Sequence, residues 1–144
     1  MKLSEISEKI RSSSLKYEID FPDDTEITGL CYDSRNVKSG NIFFAVKGLI
    51  SDGNNFIKEA IEKGAVLVFT DDEKFSESQL PVIKVDDVRK FMAMVSGIFY
   101  GDPSSKLKLI GVTGTNGKTT SAYLIHVMLS SAGYKTGLIG TIEC

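Results

Sequence analysis

Residues 111–120 read Gly-Val-Thr-Gly-Thr-Asn-Gly-Lys-Thr-Thr, and this stretch decides how the surrounding chain folds. An apolar, strand-like run at residues 107–112 precedes the glycines, and a helix-like run at residues 121–132 follows them. A strand, a glycine-rich turn and a helix in that order form a phosphate cradle. Backbone N–H groups converge on the helix N-terminus, which carries about half a positive charge. The stretch therefore predicts a site for a nucleoside triphosphate.

Lys118 and Thr119 supply the two side chains that such a cradle requires. The lysine ammonium reaches the terminal phosphates, and the threonine hydroxyl ligates Mg²⁺. The general pattern is G-x-x-x-x-G-K-[ST], but Val112 stands where its first glycine belongs, and the nearest glycines are Gly111 and Gly114. The stretch is thus a variant phosphate loop. The alternative is a plain glycine turn with a solvated Lys118.

The bulk composition is that of an ordinary globular protein. The chain has 144 residues and a formal net charge of −2, with 42% hydrophobic and 25% charged residues. This length gives room for one good core, or for one domain and part of another. Near-neutral charge gives no reason to expect nucleic acid as a partner. No apolar run reaches the roughly 20 residues that a membrane helix needs, so no membrane contact is expected.

The N-terminus and the cysteines both indicate the cytoplasm. Residues 1–10 are charged and helical in period, unlike a signal peptide. Cys31 and Cys144 lack the spacing of a metal site and are expected to be reduced thiols.

Hydrophobic periodicity predicts an α/β domain before the phosphate loop. Leu3, Ile6 and Ile10 repeat at helical spacing, with Ser4 as the candidate N-cap of a first helix. The remaining pattern predicts strands at residues 26–32, 41–46, 65–70 and 81–85, and helices at residues 56–61 and from Asp86 or Asp87 to about Tyr100.

Residues 101–106, Gly-Asp-Pro-Ser-Ser-Lys, form the best candidate linker. We place the domain boundary there, with residues 1–104 in a first domain and residues 105–144 in a second. The second contains the strand at 107–112, the phosphate loop, a helix and a last strand at 136–140, which together make one β-α-β unit. A lone unit of this kind cannot bury both faces of its strands, so the second domain is expected to be truncated.

Residues 109–120, from Leu-Ile-Gly through Gly-Lys-Thr-Thr, resemble the ATP loop of the Mur ligases. These enzymes add amino acids to the UDP-linked precursor of bacterial peptidoglycan. Folylpolyglutamate synthetases share a similar loop but lack the domain that precedes it here. Residues 33–48 and 52–65 resemble the uridine-nucleotide-binding start of the Mur ligases that add the third residue or the terminal dipeptide. The resemblance covers nearly the whole chain, but only about the first third of a typical member.

The fold implied by the resemblance is a small N-terminal α/β domain that binds UDP-N-acetylmuramate. The first β-α-β unit of a truncated mononucleotide-binding domain follows it. The joint at residues 99–105, Phe-Tyr-Gly-Asp-Pro-Ser-Ser, favours the members that add the third residue, diaminopimelate or lysine. The implied activity is ATP-dependent amide formation on UDP-N-acetylmuramoyl-L-alanyl-D-glutamate through an acyl phosphate. A dipeptide-adding ligase and a non-catalytic module that binds a UDP-sugar or nucleotide stay open as alternatives, and the sequence leaves the added amino acid undecided.

The resemblance also implies roles for individual residues, with ATP and Mg²⁺ as cofactors. Lys118 and Thr119 are the expected catalytic pair, and Thr119 is the expected Mg²⁺ ligand. The expected ATP-binding residues are Gly114, Thr115, Asn116, Gly117, Lys118, Thr119 and Thr120. The UDP-N-acetylmuramoyl dipeptide is expected on Tyr32, Ser34, Leu49, Ile50 and Ser51. In the strand at 41–46, one ring of the pair Phe43 and Phe44 is expected in the core, and the other beside the uracil.

The stretch Asp33-Ser34-Arg35 also admits a structural interpretation. Asp33 and Ser34 are typical of a turn in which the side chains bond their own backbone, and Arg35 is typical of an ion-pair partner.

The family's carbamylated lysine, second metal-binding carboxylate and C-terminal domain would lie beyond Cys144. The resemblance therefore implies a monomeric parent enzyme and an inactive fragment here. We expect this fragment to self-associate, or to have a disordered C-terminal part, because its last strand and its apolar helix face, with Leu124, Ile125, Val127 and Met128, are uncovered.

Overall fold

Strands and helices alternate in the computed structural model of the chain, which describes residues 1–12, 25–49, 51–75 and 81–140. The chain divides into two units, Met1–Lys106 and Leu107–Cys144. No helix in the described ranges combines the length and the apolar character needed to cross a membrane.

A parallel sheet of four strands forms the centre of the first unit. The strands pair in chain order, so that β1 lies beside β2, β2 beside β3 and β3 beside β4. Their bounds are β1 Gly29–Cys31, β2 Asn41–Phe44, β3 Leu67–Thr70 and β4 Val82–Lys84. This confirms the α/β fold class. Because all four strands point the same way, the loops that follow them leave from one edge of the sheet.

Helices cover both faces of this sheet. Within the described part of the first unit they are α1 Leu3–Ser12, α2 Ile57–Glu62 and α3 Val88–Tyr100. One face of the sheet packs against α1 and α3, with Phe44, Phe69 and Phe91 in its core. The other packs against α2, whose Ile57 and Ala60 are buried there. Covered on both faces, β2 and β3 are buried at every residue, including the polar Asn41 and Thr70.

Three phenylalanines join the sheet to α3. The ring centroids of Phe44 and Phe69 lie 5.7 Å apart, and those of Phe69 and Phe91 lie 4.5 Å apart. Phe43 projects into the opposite core and is only 1% exposed. The expectation that one ring of the pair Phe43 and Phe44 flanks a uracil is therefore wrong, because alternation along a strand with two covered faces buries both.

The N-terminus of α3 is fixed by Asp87, not by Asp86. The Asp87 Oδ1 accepts hydrogen bonds from the backbone N–H groups of Arg89 and Lys90, both at 3.0 Å. The backbone hydrogen bond from Lys90 is the main cause that lowers the pKa of Asp87.

At α1 the expected cap is wrong. Ser4 lies inside the helix, which begins at Leu3. Instead, the Glu5 carboxylate accepts the backbone N–H of Lys2 at 3.2 Å, so an acidic side chain from the first turn satisfies a donor at the helix end.

The second unit has one helix in its described residues, α4 Lys118–Ser131. The helix predicted after the phosphate loop is thus confirmed, but the strands predicted at residues 107–112 and 136–140 are wrong. An apolar run becomes a strand only where a neighbour completes its hydrogen-bond ladder, and neither run has such a neighbour in the described structure. No residue of α4 is buried, and Leu124, Val127 and Met128 are exposed as expected.

We predict that Asp87→Ala lowers the free energy of unfolding by about 1 kcal/mol, because it removes the acceptor of two helix N–H groups. Asp86→Ala is the matched control, since it deletes the neighbouring exposed carboxylate. Urea unfolding followed by circular dichroism measures both. Equal losses in the two variants would contradict the assignment of Asp87 as the cap.

Candidate functional site

The carboxyl edge of the parallel sheet gathers the polar loops of the first unit. We call residues 32–36, which follow β1, the β1 turn, and residues 45–52, which follow β2, the β2 loop. Asp71 and Asp72 follow β3, and Asp86 and Asp87 follow β4. In open parallel α/β sheets ligands bind outside this edge. The five residues expected to contact the nucleotide-sugar lie in the β1 turn and the β2 loop, although Ile50 is outside the described residues.

Asp33 shapes the β1 turn with both its backbone and its side chain. Its Oδ1 accepts the backbone N–H of Arg35 at 3.0 Å, which closes the turn. The Arg35 guanidinium then folds back onto the same carboxylate, with Nε 2.9 Å from Oδ1 and Nη2 2.6 Å from Oδ2. The two structural roles considered from the sequence, turn former and ion-pair partner, are thus both present. The Arg35 side-chain hydrogen bonds, followed by the backbone one, lower the pKa of Asp33 to about 2.

Ser34 is the buried residue of the β1 turn, with 7% exposure. Its hydroxyl lies 3.4 Å from Glu59 Oε2, to which it donates. Its backbone carbonyl accepts Lys63 Nζ at 2.9 Å, and Lys63 Nζ lies 2.6 Å from Glu59 Oε1. Glu59 and Lys63 were not among the residues selected from the sequence. Their spacing of four residues, with Lys63 at the C-terminal cap of α2, indicates an ion pair, but nothing in it shows that the pair reaches Ser34.

Tyr32 and Ser34 share the turn but have opposite environments. The Tyr32 side chain is 70% exposed, so its ring is available to a ligand. Cys31, a free cysteine at the end of β1, donates from its thiol to the carbonyl of Asp33, which lies between Tyr32 and Ser34, at 3.0 Å. Contacts from β1 and α2 therefore hold the turn on its buried side, and Tyr32 and Arg35 are exposed to solvent.

The β2 loop ends in a tight reversal. The Gly48 N–H donates to the Ser51 carbonyl at 2.8 Å, and Lys47 pairs with Asp52 as an antiparallel bridge. A Cβ on Gly48 would come within 2.9 Å of the Ser51 oxygen, so a larger residue does not fit. Leu49 at the tip is fully exposed, and Ser51 is exposed as well. The loop thus projects an apolar side chain away from the sheet.

Arg89, in the first turn of α3, anchors the base of the β2 loop. Its Nη2 donates to the Lys47 carbonyl at 2.6 Å. Since α3 itself packs on the sheet, the loop base is fixed relative to the strands.

A chain of polar contacts joins the β2 loop to the end of β3. Asp52 Oδ1 accepts both the backbone N–H and the side-chain amide of Asn54, at 3.0 and 2.9 Å. The Thr70 hydroxyl, fully buried, donates to Asn54 Oδ1 at 2.6 Å and accepts the Asp72 N–H at 3.0 Å. Every buried side-chain nitrogen and oxygen in the described ranges has a partner. This edge of the sheet is therefore rigid and preorganised.

The phosphate loop lies in the second unit, immediately before α4. Gly114 and Gly117 have φ angles of +152° and +76°, which favour glycine. The first helical hydrogen bond runs from Ser121 N–H to the Gly117 carbonyl at 2.9 Å, so the N–H groups of the preceding turn have no helical acceptor. Lys118 Nζ donates to the Gly114 carbonyl at 2.7 Å. The seven residues expected to bind ATP are exposed, consecutive and adjacent to a helix N-terminus.

Each of the two units matches a known protein family. Residues 26–100 match the family described as "Mur ligase family, catalytic domain". Residues 112–144 match "Mur ligase middle domain".

The curated relatives that match this chain are named as diaminopimelate ligases. A "UDP-N-acetylmuramoyl-L-alanyl-D-glutamate--2,6-diaminopimelate ligase 1" of Clostridium acetobutylicum is 50% identical, over 89% of this chain and 27% of the relative. The corresponding ligase of Clostridium tetani is 46% identical, over 99% and 29%. The chain thus spans less than a third of the length of these relatives.

Solved structures are similar in fold. A structure titled as UDP-N-acetylmuramoyl-L-alanyl-D-glutamate--2,6-diaminopimelate ligase has a TM-score of 0.69 at 27% identity, over 98% of this chain and 28% of the other. A MurF ligase from Thermotoga maritima in complex with ADP has a TM-score of 0.53 at 27% identity, over 74% and 24%.

We predict that Arg35→Gln raises the pKa of Asp33 from about 2 towards its ordinary value of 3.8, because the guanidinium hydrogen bonds are lost. The folded-state pKa is depressed, so the stabilising effect is present above pH 3.8 and is lost as the pH falls towards 2. Carboxyl ¹³C shifts recorded against pH measure this pKa. A titration of Asp33 near 3.8 in the unsubstituted chain would contradict the ion pair.

Proposed function

Because this chain belongs to the Mur ligase family, we propose that it carries the substrate-anchoring and ATP-loop regions of a peptidoglycan ligase. The proposed reaction is ATP-dependent addition of 2,6-diaminopimelate to UDP-N-acetylmuramoyl-L-alanyl-D-glutamate. The observation that carries this proposal is the identity of 46–50% to relatives named for that reaction. In this proposal residues 1–104 anchor the nucleotide-sugar, and residues 105–144 begin the ATP-binding domain.

The first unit is the proposed site of the UDP group. The β1 turn and the β2 loop lie at the carboxyl ends of neighbouring strands, β1 and β2, so they border a common space outside the sheet. Tyr32 offers an exposed aromatic face to uracil, and Leu49 offers apolar area at the opposite loop. Arg35 brings a guanidinium to the same turn. Binding energy from this remote nucleotide positions the D-glutamate carboxylate for reaction.

Ser34 is proposed to contribute to substrate binding indirectly, by supporting the β1 turn. Its hydroxyl faces Glu59 and its side chain is buried, so the side chain supports the turn from inside. Ser34 therefore acts on a bound ligand by fixing the position of the backbone of residues 33–35. Ser51 and Ile50 complete the proposed loop contacts.

The phosphate loop of the second unit is the proposed ATP site, and its residues fit that role. Glycines with positive φ, helix N–H groups without a helical acceptor and the Lys118 ammonium border the proposed phosphate-binding point. Thr119 is the proposed Mg²⁺ ligand. No group of three or more acidic, histidine or cysteine side chains suited to a metal occurs in the described ranges. Mg²⁺ would then be held by Thr119, phosphate oxygens and water.

ATP would activate the substrate carboxylate as an acyl phosphate, and the amine of the amino acid would then displace phosphate. The role of Lys118 is to supply a fixed positive charge as negative charge shifts among the phosphate oxygens. Backbone N–H groups of residues 114–120 orient the nucleotide. We place this chemistry in the cytoplasm, where ATP and nucleotide-linked precursors are available.

Diaminopimelate is favoured over lysine by the names of the curated relatives. A dipeptide-adding ligase is less supported, because the curated relatives at 46–50% identity are named as diaminopimelate ligases. The TM-scores point the same way, with 0.69 for the diaminopimelate ligase against 0.62 for a MurF from Acinetobacter baumannii.

We predict that Tyr32→Ala weakens UDP binding about tenfold, because stacking of a base on an aromatic ring contributes about 1–3 kcal/mol. Tyr100→Ala is the matched control, since Tyr100 is similarly exposed (63%, against 70% for Tyr32) but lies at the far end of α3. Isothermal titration calorimetry with UDP measures both affinities. A similar affinity in the two variants would exclude Tyr32 from the site.

We predict that Lys118→Ala weakens Mg·ADP binding at least about tenfold, through the loss of a charge-assisted contact to phosphate. Lys135→Ala removes the same charge from an exposed position in the same unit and serves as the control. Amide shifts of residues 114–120 during Mg·ADP titration report the binding. If the lysine variants responded alike, the assignment of Lys118 would be wrong.

A further inference from the structure

We propose that Glu59 of α2 and Lys63, which caps the C-terminus of that helix, are positioning residues for the nucleotide site, and that they set the affinity for uridine nucleotides through Ser34. This inference rests on the proposed role of the first unit as the UDP site. Neither side chain needs to touch the ligand, because both act on the backbone of the β1 turn.

The contacts form a closed triangle around one residue. Lys63 Nζ binds the Ser34 carbonyl at 2.9 Å and Glu59 Oε1 at 2.6 Å, and Glu59 Oε2 accepts the Ser34 hydroxyl at 3.4 Å. Both polar ends of Ser34 are therefore held by the same pair. Since Ser34 is 7% exposed, water has little access to its hydroxyl and carbonyl groups, although it reaches the Lys63 and Glu59 side chains.

The triangle acts on the middle of the β1 turn. Ser34 stands between Asp33, whose carboxylate closes the turn, and Arg35, whose guanidinium folds back on that carboxylate. The Ser34 carbonyl belongs to the peptide plane that joins Ser34 to Arg35, so a shift of this carbonyl moves Arg35 directly, and moves Tyr32 through the backbone of residues 33 and 34. The position of the ligand-facing groups thus depends on two side chains that sit behind them.

The charges of this cluster balance. Asp33 and Glu59 are negative, and Arg35 and Lys63 are positive. Lys63 also helps to lower the pKa of Asp33, which places its charge close to the turn. An ion pair as exposed as Lys63 and Glu59, at 37% and 43%, contributes little to stability, so its main effect is on geometry.

The same helix offers a matched control. Lys58 and Glu62 form an ion pair of the same type, also four residues apart, at 4.0 Å. Their side chains are 90% and 66% exposed, and none of the contacts described above involves them. Lys58→Met and Lys63→Met therefore make the same change in net charge, at opposite ends of one helix, and only Lys63→Met removes a contact to Ser34.

The test compares UDP affinity of the full chain by isothermal titration calorimetry, at low and high salt, together with the Tm of each variant. Lys63→Met should weaken binding about tenfold, as expected for the loss of one charge-assisted hydrogen bond. Lys58→Met should weaken it less than about twofold, and this small effect should vanish at high salt, because it acts only through screened charge. The effect of Lys63→Met should persist at high salt, and Lys63→Arg should restore most of the affinity.

Each outcome bears on a definite claim. If the unsubstituted chain does not bind UDP, the proposed function of the first unit fails. If it binds, but Lys63→Met and Lys58→Met have equal affinity, the positioning role is wrong. If Lys63→Met does not fold, Glu59→Gln replaces it, because glutamine keeps an acceptor for Ser34 but loses the ion pair with Lys63. Unchanged affinity in Glu59→Gln would then overturn the inference.

Discussion

The parallel ladder of β1 to β4 is the constraint on which the first unit depends. Its inner strands are buried on both faces, so each of their backbone N–H and C=O groups must be satisfied by a neighbouring strand. Strands that pair in chain order and point one way require a return across the sheet between each pair. As a result, every loop that follows a strand begins at the same edge. The β1 turn and the β2 loop are neighbours because their strands are neighbours, and not because of any sequence signal between them.

The elements of the first unit could be predicted from the sequence because each has a local cause. The runs that form β2 and β3 are apolar and β-branched or aromatic, and α3 carries its apolar residues at helical spacing. The ends of the elements are harder to predict. Asp86 and Asp87 are both aspartates that could cap α3, and only the hydrogen-bond geometry identifies Asp87 as the cap. In the second unit α4 was predictable from its own residues, whereas the strands at 107–112 and 136–140 were not. A strand depends on a partner elsewhere in the chain, and periodicity carries no information about that partner.

The candidate site divides in the same way. The sequence suggests the Asp33 turn, because aspartate followed two residues later by a backbone donor is a local motif. It gives no sign of the contact between Lys63 and Ser34, which are 29 residues apart. The crossover from β2 through α2 brings these two residues together, so the contact results from the topology of the sheet. The pair Phe43 and Phe44 shows the reverse error, since the local pattern left one of the two rings free, whereas helices on both faces of the sheet bury both rings.

The central claim is that the carboxyl edge of this sheet holds a uridine nucleotide, separately from the phosphate loop. A map of backbone amide shifts on titration of the full chain with UDP-N-acetylmuramoyl-L-alanyl-D-glutamate tests it most directly. The account predicts the largest shifts in residues 32–35 and 47–52, with smaller shifts at Glu59 and Lys63, and little change in residues 107–140. Shifts confined to residues 107–140, or spread along the opposite edge of the sheet, would contradict it.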